Sequence, residues 1–139
     1  MRLLIIDQNV NSKNDLIEDL SKSQKSFDIT CAEDCIEALS SIQEGPEFDL
    51  IVSDFKLPKM DGISLLQTLR ENKFTTQFIL FSKEPPKNIS SLKNSLQLSG
   101  WFHKSFNRDM RLDSTQLIRI LEKFSDKITA LEQYESLKS

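Results

Sequence analysis

Asp54 is the residue of this chain best placed for chemistry. It closes the apolar stretch DLIVSD of residues 49–54 and opens the stretch FKLPKMDG of residues 55–62. A carboxylate is thereby carried from a buried strand onto a loop shaped by Pro58 and Gly62. Pro58 fixes one backbone dihedral, and Gly62 is expected to supply backbone geometry closed to other residues. A loop of that kind can be drawn tightly around the carboxylate, which is where a phosphoryl acceptor would sit.

The elements that must hold such a carboxylate are legible in the hydrophobic pattern. Residues 3–6 form a continuous apolar run suited to a strand buried on both faces, and residues 8–12 read as a loop leading to a helix cap. From Asp15 onward Leu16, Ile17 and Leu20 recur at helical spacing. Residues 27–31 alternate as a short strand, and Ile36, Ala38, Leu39 and Ile42 mark a helix ending near Gly45 and Pro46.

Residues 50–53 form the third buried strand, 63–69 a helix, and 78–81 a fourth strand. The stretch KEPPKN, residues 83–88, breaks the chain. A weaker helical pattern over 92–98, the short apolar pair Trp101 and Phe102, and a long helix from about Ser114 complete it. Five alternations of strand and helix imply a three-layer αβα domain around a parallel sheet. In an open sheet of this kind ligands bind beyond the carboxyl ends of the strands, near the point where strand order reverses. Asp7, Asp54, Ser82 and Lys104 all lie at such ends, an arrangement that solubility alone does not explain.

A length of 139 residues fits one domain able to bury its own core. The formal charge of −3 and apolar fraction of 38% carry no basic bias, so nucleic acid is not an expected direct partner. Asp7 cuts the first apolar run before it reaches signal-peptide or membrane-spanning length, and the protein is expected to be cytoplasmic with no membrane contact. Cys31 and Cys35 lack the neighbours a zinc site or disulfide framework requires and are read as packing thiols.

Taken together, residues 3–7 (LLIID), 37–39 (EAL), 49–54 (DLIVSD) and 57–62 (LPKMDG), with Ser82 and with Lys104 and Phe106, resemble the receiver domain of two-component response regulators over roughly residues 2–124. The resemblance implies a flavodoxin-like, doubly wound sheet of five strands in the order 2-1-3-4-5. It implies further that Asp54 takes a phosphoryl group from a phosphohistidine on a histidine kinase or phosphotransfer protein, with Lys104 neutralising the phosphoryl oxygens and Ser82 hydrogen-bonding one of them. Positioning and charge stabilisation are what such a transfer asks of a protein.

The resemblance also implies Mg2+, held by Asp54, by the backbone carbonyl of Lys56 and by an acidic pair that here reads Asp7 and Gln8. Gln8 brings no negative charge, so the expected affinity for the ion is reduced but not abolished. Where the family has proline after the lysine this chain has Ser105, and a trans peptide bond is expected between Lys104 and Ser105.

Lys56 and Glu84 fall where the family tunes phosphoryl lifetime, and they either screen the phosphoryl group from water or are solvated loop charges. Trp101 falls where the family has its switch aromatic, with simple packing as the alternative. His103 is read as an exposed or packing residue, and Lys83 as either narrowing access to Asp54 or pointing to solvent.

Leu117, Leu121, Phe124, Ile128 and Leu131 keep one apolar seam along the last helix. Residues 1–126 are assigned to the receiver and 127–139 to an extension of that helix. The extension would be a contact with a second copy, a linker to an output domain, or a frayed end. The expected function is a phosphorylated receiver that switches its binding of a downstream signalling protein or linked output domain, catalysing only its own phosphoryl transfer and hydrolysis. The alternative is a phosphorylation-independent pseudo-receiver serving as an interaction or dimerisation module. An aspartyl phosphatase is disfavoured by Lys56, which stands where such enzymes carry a second acid, and flavin binding by the lack of a phosphate-cradling loop.

Overall fold

The computed structural model describes residues 1–138. The elements follow as β1 (Arg2–Ile6), α1 (Val10–Ser21), β2 (Asp28–Ala32), α2 (Cys35–Glu44), β3 (Leu50–Ser53), α3 (Gly62–Glu71), β4 (Gln77–Ser82), α4 (Ile89–Ser95) and β5 (Gly100–His103). A two-stranded hairpin, β6 (Ser105–Phe106) and β7 (Leu112–Asp113), precedes α5 (Thr115–Lys138). The five main strands pair in parallel in the order β2-β1-β3-β4-β5. The doubly wound, flavodoxin-like sheet is therefore the one implied by the sequence.

The strand period of two divides the apolar runs between two cores. Leu4, Ile6, Ile51, Phe78 and Leu80 face the layer of α2 and α3, whereas Leu3, Ile5, Leu50, Val52, Ile79 and Phe81 face α1 and α5. The three central strands, β1, β3 and β4, are buried on both faces, which is why their runs show no polar alternation. The two thiols are split accordingly. Cys35 is buried in the first core and Cys31 packs against the second, where burial raises its thiol pKa and makes it a poor nucleophile.

Local boundaries moved where polar residues carry the signal. α1 begins at Val10, several residues before its apolar pattern, because Asn9 caps it by accepting a hydrogen bond from the Ser12 backbone at 3.1 Å. The fourth helix runs over Ile89–Ser95 and contributes no fully buried residue. β6 and β7 were invisible in the sequence, since two-residue strands have no periodicity to read. In α5, Leu117 and Leu121 are buried, whereas Leu131 and Leu137 are 52% and 87% exposed. Among the described residues no helix is long and apolar enough to cross a membrane.

Candidate functional site

Parallel register brings the strand ends together. Ile6 lies beside Ser53 and Ser82 beside His103, so the next residues, Asp7, Asp54 and Lys104, emerge at one edge. Two backbone bonds extend the ladder past the strands, from Asp54 N to the Ile6 carbonyl at 2.9 Å and from Lys104 N to the Ser82 carbonyl at 2.8 Å. The Lys104 ammonium then donates to Asp7 Oδ2 at 2.5 Å and to Asp54 Oδ2 at 2.9 Å. Lys104 and Asp7 are both buried. Desolvated charges persist only when paired, and one lysine here joins two carboxylates. The remaining carboxylate oxygens accept from backbone, Asp7 Oδ1 from Asn9 N and Asp54 Oδ1 from Phe55 N.

Gly62 shapes the loop after Asp54 for a reason other than the one expected. Its backbone is not left-handed; the residue with positive φ in this loop is Lys59, at 76°. What Gly62 supplies is close approach. A Cβ there would stand 2.4 Å from the Asp54 carbonyl oxygen and 3.3 Å from Ser53 Oγ. With no side chain in the way, Gly62 N donates to the Phe55 carbonyl at 2.7 Å, and the loop closes behind the carboxylate. Asp61 caps α3 just beyond, accepting from Ser64 N.

Ser82 is buried, and its hydroxyl is shared. It donates to the Glu84 carbonyl at 2.6 Å and accepts from the Trp101 indole Nε1 at 2.9 Å. Trp101 is thus joined to the site by a directed bond in addition to packing against the core. His103 is exposed and lies against Trp101 with ring centroids 6.0 Å apart. Lys83 is exposed and its ammonium sits 5.3 Å from the Phe106 ring centroid. Lys56 and Glu84 are both exposed and both line the cavity over Asp54, but among the described residues no ion pair joins them. Among the described residues no peptide bond is cis, so Lys104 is presented by a trans bond before Ser105.

That cavity, about 300 Å³, is bordered by Gln8, Ser12, Asp54, Lys56, Ser82 and Lys104. No three acidic, histidine or cysteine residues cluster as a dedicated metal cage among the described residues. The donors present suit a hard cation that keeps much of its water: two carboxylates, a carbonyl at Lys56, and one orphaned hydroxyl, Ser12 Oγ, buried without a partner. Gln8 Nε2 lies 3.4 Å from the Lys56 carbonyl oxygen, a long hydrogen bond to the same atom a cation would use.

One network near the site escaped the sequence. Arg111, just before β7, donates to both carboxylate oxygens of Asp19 at 2.7 and 3.2 Å, and Ser114 Oγ donates to Asp19 Oδ2 at 2.6 Å. The Arg111 guanidinium, followed by Ser114, holds the Asp19 carboxyl below its ordinary pKa. The Asp15 carboxylate adds a bond from Leu112 N, so the hairpin after Lys104 is tied to α1. Arginine and aspartate 92 positions apart leave no mark in a sequence pattern.

A doubly wound αβα domain with an acid–lysine–acid cluster and a hydroxyl at the carboxyl edge of its sheet is the arrangement expected of the signalling-domain class that the sequence resembles. The sequence matches the response regulator receiver domain over residues 3–116, and the chain belongs to that family. It is 27% identical over 127 residues to the transcriptional regulatory protein FlgR of Helicobacter pylori, covering 91% of this chain and 32% of FlgR. It is 35% identical over 89 residues to a probable chemotaxis protein CheY of Rhizobium etli, covering 60% of this chain and 65% of that one. The chain thus spans about a third of the first relative and just under two thirds of the second. The response regulator TrrA of Thermotoga maritima, solved in complex with Mg(2+)-BeF, superposes with a TM-score of 0.70 at 25% identity, covering 88% of this chain and 97% of TrrA.

Proposed function

We propose that Asp54 is the phosphoacceptor of this receiver. A carboxylate oxygen of Asp54 attacks the phosphorus of a phosphohistidine on a histidine kinase or phosphotransfer protein; the P–N bond breaks and its electron pair stays with the imidazole. Lys104, already on Asp54, meets the charge on the phosphoryl oxygens, and Ser82 turns its hydroxyl toward one of them. The single observation that carries this reading is the Lys104 ammonium bridging Asp7 and Asp54 at the edge where β1 and β3 end. Asp54, Asp7, the Lys56 carbonyl and the neutral Gln8 are the residues that would hold Mg2+, which supplies positive charge against the phosphoryl oxygens. Divalent metal in the TrrA complex supports this assignment.

The aspartyl phosphate shifts the equilibrium between two conformations, and differential affinity for a downstream protein or a linked output domain is the output. Lys56 and Glu84, on opposite rims, shield the phosphoryl group from water and lengthen its life. The only chemistry catalysed is phosphoryl uptake and hydrolysis, in the cytoplasm. Residues 1–126 form the receiver and 127–139 extend its last helix toward a linker role or a second copy, supported by the exposure of Leu131, Tyr134 and Leu137.

The pseudo-receiver reading has one observation in its favour, the Gln8 amide set against the Lys56 carbonyl. Incubation with Mg2+ and acetyl phosphate, read by intact mass, separates the two. A gain of one phosphoryl group, absent in Asp54→Ala, is the expected result. No gain in mass would leave the interaction module as the better reading.

A further inference from the structure

Ser12 is the one described residue with a buried side-chain polar atom that has no hydrogen-bond partner. It is 1% exposed, on the first turn of α1, and it borders the cavity that holds Asp54 and Lys104. A buried hydroxyl left unpaired costs free energy, and the usual account of one in a folded protein is a water or ion that completes it. Its position is fixed by a short relay. Asn9 N donates to Asp7 Oδ1 at 2.8 Å, and Asn9 Oδ1 accepts from Ser12 N at 3.1 Å, so Ser12 is anchored to the acidic end of β1.

The charge around it selects the occupant. The inner cluster of Asp7, Asp54 and Lys104 carries a formal charge of −1, while Lys56, Lys83 and Glu84 on the rim are exposed and screened by solvent, so the interior favours a cation over an anion. A small divalent cation taken up by two carboxylates keeps several waters, and each water points its protons outward, toward acceptors. Building on the phosphoacceptor reading above, we propose that Ser12 Oγ accepts a hydrogen bond from a water of the bound divalent cation. It thereby serves as an outer-sphere positioning residue on the flank where Gln8 brings no charge. Phosphoryl oxygens are already provided for by Lys104 and Ser82, on the β4 and β5 side of the cavity.

Equilibrium binding of Mg2+ to the unphosphorylated full chain tests this, read by calorimetry and Trp101 fluorescence. Ser12→Ala should weaken Mg2+ binding by roughly three- to tenfold, the effect of one hydrogen bond, and Ser12→Thr should restore it. In EDTA the Ser12→Ala protein should melt no lower than wild type, because only an unpaired group is lost, yet gain less in Tm when Mg2+ is added. A Tm lowered equally in EDTA and in Mg2+ would show a packing role and overturn the proposal. Unchanged Mg2+ affinity in Ser12→Ala would overturn it as well, even if that variant responds differently to beryllofluoride. Phosphorylation of wild type with unchanged Mg2+ affinity in Ser12→Ala would sink this inference alone. A wild type that neither binds Mg2+ nor takes up phosphate would sink the phosphoacceptor reading with it.

Discussion

The Trp101 indole donates to Ser82 Oγ at 2.9 Å while the same hydroxyl donates to the Glu84 carbonyl at 2.6 Å. A serine hydroxyl has one proton. Ser82 can reach a phosphoryl oxygen only by releasing Glu84, and that rotation changes the acceptor presented to Trp101. Under the proposed function, Trp101 is therefore expected to report the state of the site.

Addition of beryllofluoride with Mg2+ should shift Trp101 emission, and Ser82→Ala should shift it before any ligand is added. Trp101→Phe removes the donor and keeps an aromatic side chain, though a smaller one; it should cost at least about 1 kcal/mol by denaturant melt. An emission spectrum identical in wild type and Ser82→Ala would contradict the bond.

Lys104 should matter to the fold as much as to the chemistry. Removing it as Lys104→Met leaves Asp7 and Asp54 facing each other at a largely buried edge, and loss of one partner from a buried pair costs about 3–5 kcal/mol. Asp54→Ala leaves the Lys104–Asp7 pair intact, so its loss should be clearly smaller. Urea melts of the two variants compare them directly.

If Asp7, Asp54 and the Lys56 carbonyl hold Mg2+ as proposed, Gln8 is the neighbour expected to set the strength of binding. Gln8→Asp adds a carboxylate beside Asp7 and withdraws the amide from the Lys56 carbonyl, so Mg2+ affinity should rise on the order of tenfold. The same variant in EDTA should be less stable than wild type because three carboxylates then share one lysine. Mg2+ titrations of Tm give both numbers.

The hairpin latch gives a pH signature. Asp19, hydrogen-bonded by Arg111 and Ser114, has a folded-state pKa below its ordinary value of 3.8. Its stabilising contribution is complete above that ordinary value and is lost as pH falls through the lowered one. Asp19→Asn should lower Tm at pH 7 by a few degrees, and the gap from wild type should close at an acid pH below the lowered value. Equal gaps at both pH values would place the effect in packing.

Much of this was written in the chain itself. The apolar runs at residues 3–6, 50–53 and 78–81 are buried on both faces, and their continuity alone declared a parallel sheet with helices on either side. Asp7, Asp54, Ser82 and Lys104 could be named because each follows such a run, and strand ends converge in any doubly wound sheet. Type and order along the chain were enough for that.

Distance was not. That one ammonium spans Asp7 and Asp54, that Trp101 bonds Ser82, and that Arg111 reaches Asp19 depend on register and rotamer across 97, 19 and 92 positions of sequence. Gly62 was singled out correctly for the wrong physical reason, because a close approach to the Asp54 carbonyl exists only once α3 is docked on β3. Ser12 stood out least, as a small polar residue in a polar stretch. Only the packing of α1 against the sheet shut its hydroxyl away from water and left it bordering the cavity over Asp54.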